Sequence, residues 1–194
     1  MRRWLTAILA LLLLTGCAAD EREERVAALQ RRYADSGGCT AEVAVTLPRG
    51  DETLRYTLSL EVSGGETVVR VLSPDALAGI TARVDGAKLT VECGDMVFDA
   101  GSVLPGVSAV NCAPLVLRAV ASGYVRERSE ETVDGEPALR VLFETEQDGQ
   151  TLDCTVWFDA DDTPLRAEVC EKEKNIADLE FTSFAFCATL QADG

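Results

Sequence analysis

The residue types with chemical potential in this 194-residue chain are its seven cysteines and its 33 acidic residues, for it has no histidine at all. That absence removes Ser-His-Asp and Cys-His nucleophile systems and every metal site built on imidazole. The only lysines are Lys88, Lys172 and Lys174, and no Ser-x-x-Lys or glycine-rich phosphate loop is present. Acid pairs suited to glycoside hydrolysis abound, but none sits in a recognisable setting. The chain reads as a non-enzyme that needs no cofactor. Asp159, Asp161 and Asp162 share one turn, which reads as a solvated hairpin turn rather than a calcium loop. Without a Cys-x-x-Cys, the cysteines also make a poor thiolate metal cluster.

Six cysteines, at 39, 93, 112, 154, 170 and 187, are left once Cys17 is set aside. An even number in an exported chain suggests disulfides. Cys154 and Cys170 lie symmetrically about Asp162, the middle of an expected hairpin, and so would face each other across it. A one-residue change in the turn would put them on opposite faces. Cys93 and Cys112 flank a loop and form a weaker second pair, which leaves Cys39 and Cys187 by elimination. The competing reading is that several are reduced, buried small residues.

Cys17 stands apart. Met1-Arg2-Arg3 is a basic start, Trp4–Leu14 is apolar apart from Thr6, and Leu14-Thr15-Gly16-Cys17 follows. This is a secretory signal over 1–16, its apolar run too short to span a bilayer comfortably. The four residues resemble the lipobox of bacterial lipoproteins, which implies a diacylated Cys17 as the mature N-terminus on the outer face of the cell membrane. Residues 17–21 would be a lipidated tether and 22–190 a single domain. Losing Arg2 and Arg3 takes the net charge from −15 to −17. A body that acidic stands off an anionic membrane and is an unlikely partner for nucleic acid.

The elements that position these residues follow from periodicity. Val26, Leu29 and Tyr33 form one narrow apolar stripe at helical spacing, closed by Ser36-Gly37-Gly38. From Cys39 the period becomes two. Strands are expected at 39–47, 54–62, 67–72, 80–84 and 88–93, with a short one at 96–99. A helix over 114–121 precedes strands at 124–131, 138–145, 151–159, 165–171 and 177–186. The fold class is therefore α+β. A curled antiparallel half-barrel of about ten strands lies over an N-terminal helix and a mid-chain helix.

Three stretches carry a likeness to a known family: Pro74–Val91 (PDALAGITARVDGAKLTV), Thr155–Val169 (TVWFDADDTPLRAEV) and the first strand from Cys39. Together with the order of elements they resemble the Lol-type lipoprotein carriers, nearest the GerS-type germination lipoproteins of spore-forming clostridia. The resemblance implies a curled half-barrel over helices. Soluble carriers of that family have no lipid of their own, so Cys17 favours an anchored binder over a shuttle.

Two functions from different classes follow. In the first, the concave face holds a lipid, lipopeptide or other apolar ligand, with Val43, Val45, Leu54, Tyr56, Leu58 and Leu60 as cavity candidates. The competing reading makes this stripe ordinary core. In the second, the barrel is plugged and its surface docks an envelope protein; the GerS likeness implies a cell-wall amidase as such a partner.

Overall fold

A computed structural model describes residues 21–85, 88–102 and 106–187. The signal segment, Cys17 and most of the tether lie outside the described residues. Helix α1 covers residues 21–35. The first strands are β1 (Gly38–Arg49), β2 (Glu52–Ser63), β3 (Glu66–Ser73), β4 (Thr81–Asp85), β5 (Lys88–Cys93) and β6 (Met96–Ser102). A single 3-10 turn, Asp75–Leu77, joins β3 to β4. Helix α2 (Ala109–Ser122) follows, then β7 (Tyr124–Val133), β8 (Glu136–Gln147), β9 (Gln150–Phe158), β10 (Pro164–Glu171) and β11 (Lys174–Phe186).

All eleven strands join one antiparallel sheet in the order β6-β5-β4-β3-β2-β1-β11-β10-β9-β8-β7. Two meanders meet at the centre, where β1 pairs with β2 on one side and β11 on the other. The first meander winds out to the β6 edge, and α2 carries the chain to the opposite edge, from which β7–β11 wind back. This is the expected α+β open, curled sheet. The short strand suspected at 96–99 is real and makes the count eleven.

Alternation decides which side chains face inward. Val43 and Val45 of β1, Leu58 and Leu60 of β2, and Val69 and Val71 of β3 are buried, as are Phe143 and Phe158 on the far side. The stripe Val26, Leu29 and Tyr33 of α1 lies on them. Helix α2 is buried nearly all round, at Cys112, Ala113, Leu115, Val116, Ala119 and Val120, because it runs between both meanders. Each buried leucine or valine stabilises the fold by roughly 2 kcal/mol relative to exposure.

Two boundaries differ from expectation. Helix α2 begins at Ala109, with Pro114 inside it, rather than near Pro114. Asn111 makes the earlier start: its Oδ1 accepts the Ser108 N–H at 2.7 Å and its Nδ2 donates to the Gly106 carbonyl at 2.7 Å. These bonds meet groups that a helix N-terminus leaves open. The second is Gly38, which opens β1 rather than merely stopping α1. Its φ is +139°, and a Cβ there would lie 1.8 Å from the Val62 carbonyl oxygen, so no other residue fits.

Candidate functional site

Helix α1 is held by the acidic turn between β9 and β10. Arg25 donates to the Asp159 carbonyl at 2.8 Å and pairs with Asp162 at 3.2 Å. Arg32 donates to the Asp161 carbonyl at 2.6 Å, and the Tyr33 hydroxyl to the Asp162 carbonyl at 2.9 Å. Asp159 Oδ1 accepts the N–H groups of Asp161 and Thr163 at 2.9 and 2.8 Å. The three aspartates therefore shape the turn and clamp α1, which is more than the solvated turn expected of them. The signal for this in the sequence was Arg25, Arg32 and Tyr33 at i, i+7 and i+8, one face of a helix.

Tyr33 is the centre of an aromatic cluster. Its ring stacks on Phe184 at 5.7 Å and meets Phe186 and Phe158 edge-on at 5.0 and 6.1 Å. Burial pushes its phenol far above the ordinary range, so it stays a neutral donor. Beside this cluster a groove of about 400 Å³ opens between α1, α2 and β1–β4. Its apolar wall includes Tyr33, Cys39, Val62, Val84, Pro114 and Leu117, and Arg118 stands among the lining residues.

The cavity candidates divide into two groups. Val43, Val45, Leu58 and Leu60 are between 0 and 3% exposed and pack in the core. Leu54 and Tyr56 border a second groove, of about 470 Å³, with Leu47, Val107 and Ile176 at the start of α2. The structure thus places them at two levels, four in the floor and two at one mouth. The lining residues of the first groove were missed because they come from six elements with no common period.

None of the six described cysteines is bonded to another. Cys154 faces Val169 across β9 and β10, and Cys170 faces Asp153. The two thiols therefore point to opposite faces. The cause is a bulge at Leu165: Pro164 pairs with Phe158 but Arg166 with Trp157, which shifts the later register by one residue. Cys93 lies on β5, and Cys112 is wholly buried in α2 rather than in a loop. Cys39 lies in β1 and Cys187 directly follows β11, where the Cys187 N–H donates to the Gly38 carbonyl at 2.9 Å. Burial, then the nearby Cys187, pushes the Cys39 thiol up to about 11. Burial alone dominates at Cys112 and Cys154, each pushed up to about 12. These thiols are held neutral and are poor nucleophiles. Among the described residues no group of three or more acids and cysteines is placed to hold a metal ion, and no helix is long and apolar enough to cross a membrane.

Residues 1–18 match the prokaryotic membrane lipoprotein lipid attachment site, so the chain carries a lipoprotein anchor signal. No curated protein matches the chain. Solved structures share its fold. An uncharacterised conserved protein from Thermus thermophilus, 13% identical, aligns over 85% of this chain and 87% of its own with a TM-score of 0.53. A DUF1329 family protein from Desulfovibrio piger, also 13% identical, aligns over 86% and 92% with a TM-score of 0.52. A LolA superfamily protein from Nitrosomonas europaea is similar at 11% identity over 81% and 92%, with a TM-score of 0.44.

Proposed function

We propose that this lipoprotein is a non-catalytic binder of an apolar, acyl-type ligand, anchored through a diacylated Cys17 on the outer face of the cell membrane. The groove between α1, α2 and β1–β4 carries this reading. Its volume of about 400 Å³ lies within the usual range of small-molecule sites, roughly 300–1,000 Å³. Its wall joins aromatic and aliphatic groups, and the acids of the domain lie elsewhere. Val43, Val45, Leu58 and Leu60 are packed in the core, so the ligand is placed along the groove rather than against them.

Native mass spectrometry of the full-length lipoprotein, released from detergent micelles and titrated with palmitate, tests the reading. A one-to-one adduct is expected, and Leu117→Trp, which fills the groove, should remove it. A clean apo mass at saturating palmitate overturns it. The second function, docking of an envelope protein, is favoured by a different surface.

A further inference from the structure

The β6 edge of the sheet is built unlike the rest of the surface. Met96, Val97 and Phe98 are 57, 66 and 52% exposed and consecutive in the chain. They form the first half of a strand that ends the sheet order, so one side of its backbone pairs with β5 and the other faces away from the sheet. Natural edge strands are usually guarded by charge, proline or a covering element. Among the described residues no proline or covering element guards Met96, Val97 and Phe98, and none of the three is charged.

The register sorts these side chains. Phe98 is opposite Val91, and Met96 is opposite Cys93. Val91 is opposite Ala82, which is buried on the concave side, so Phe98 and Met96 extend the concave face outward. Val97 is opposite Glu92 and Asp99 opposite Thr90, on the convex side. On that side of β3–β6 stand Glu66, Asp85, Glu92 and Asp99 against Arg70, Arg83 and Lys88, an excess of one carboxylate: Arg83 takes Glu92 at 2.9 Å and Glu66 at 3.6 Å, and Lys88 takes Asp99 at 3.7 Å. Asp95 lies in the turn next to Met96.

We infer that Met96–Asp99 is a docking edge for an extended segment of another protein, added as a twelfth strand, whose residues alternate apolar and basic. Main-chain bonds to β6 would hold the segment. Its apolar side chains would pack on Met96 and Phe98, and its lysines or arginines would face the carboxylates around Val97, namely Glu92, Asp99 and the Asp95 of the adjoining turn. Charge selects this occupant over a second copy of the chain. Two β6 strands paired antiparallel would bring Asp95 and Asp99 of each copy together between bodies of high negative charge, and like charges opposite one another destabilise a strand pair.

The test is selection from a random displayed peptide library on the full-length lipoprotein in nanodiscs, with Phe98→Glu as counter-target. Phe98 is half exposed, so Phe98→Glu should keep the wild-type unfolding temperature, which is checked first. Alternating apolar and basic sequences should be enriched. Their affinity should fall about tenfold with Phe98→Glu, fall with added salt, and stay unchanged with the groove-filling Leu117→Trp. Enrichment equal on wild type and Phe98→Glu, or of acidic or patternless peptides, overturns the proposal. So does a concentration-dependent dimer that Phe98→Glu abolishes, which would make the occupant a second copy. The palmitate adduct is read independently, so either site can fail alone.

Discussion

The two edges of the single sheet solve the same problem in opposite ways. At the β7 edge the convex face is closed by charge. Arg140 and Arg166 stand over the Trp157 ring at 5.9 and 4.1 Å, and its indole N–H donates to Glu131 at 2.8 Å. Arg140 also reaches Glu127 at 3.4 Å and Arg126 bridges Glu144 and Asp153, while on the concave side Arg128 reaches Glu23 of α1 at 2.6 Å. Trp157 is left only 5% exposed on a face that otherwise meets water. At the β6 edge three apolar residues stand open. Tyr124 at the start of β7 is 71% exposed too, but it stands alone, so the difference is between one exposed apolar residue beside a charge-covered ring and three consecutive ones with no such cover among the described residues.

The largest expected effect breaks the shielded side. Trp157→Ala removes the ring that the two arginines cover and strands the Glu131 acceptor. It should cost about 3–5 kcal/mol in denaturant unfolding, whereas Phe98→Ala should stay within about 0.5 kcal/mol. Equal effects would erase the contrast between the edges.

Next comes alkaline pH. Cys112 and Cys154 ionise near 12 in the fold against an ordinary 9.0. Above 9.0 the unfolded chain releases protons that the folded one keeps, so unfolding gains. The contribution of each thiol is complete below pH 9.0 and is lost as pH rises towards about 12, by about 1.4 kcal/mol each near pH 10. Cys112→Ala should flatten that slope in unfolding measured from pH 8 to about 11. Cys112 belongs to α2 and Cys154 to β9, so the same series followed by amide exchange should loosen those elements and leave β5–β6 unchanged.

A smaller effect is expected at the clamp. Asp162→Ala unpairs Arg25 and weakens the hold on Arg32, at about 1–2 kcal/mol given the partial exposure of all three groups. Amide exchange in α1 should rise while that of α2 stays the same. The smallest is Phe98→Glu, which should leave the unfolding temperature unchanged while weakening peptide capture at the β6 edge about tenfold.

Much of the architecture was legible because alternation is local. Cys39 to Leu47 and Leu54 to Val62 show their faces residue by residue, and Ser36-Gly37-Gly38 stops α1 where the stripe ends. What failed depends on contacts that no local pattern encodes. The bulge at Leu165 turned Cys154 away from Cys170, although their spacing about the turn was symmetrical. The start of α2 rests on Asn111, a residue that favours caps and turns, while Pro114 drew attention to the wrong turn of the helix. The candidate groove assembles Tyr33, Val62, Val84 and Leu117 from four elements, which only the tertiary fold brings together. The β6 strand itself was seen in the sequence, but its place at an edge, and so its exposure, follows from the sheet order alone.

The clamp on α1 also has a mechanical consequence. The lipid attachment signal precedes α1, so any pull on the anchored end enters the body through the first turns of that helix. Glu23–Arg128 and the bonds of Arg25 are loaded first and in shear. By contrast β1 is stitched on both sides at the middle of the sheet. In single-molecule pulling from residue 21, α1 should therefore peel as a small early step at low force, before the sheet gives way. Its release would lift Tyr33 off Phe184 and Phe186 and widen the groove, so tension at the anchor and access to the concave face would be one coordinate.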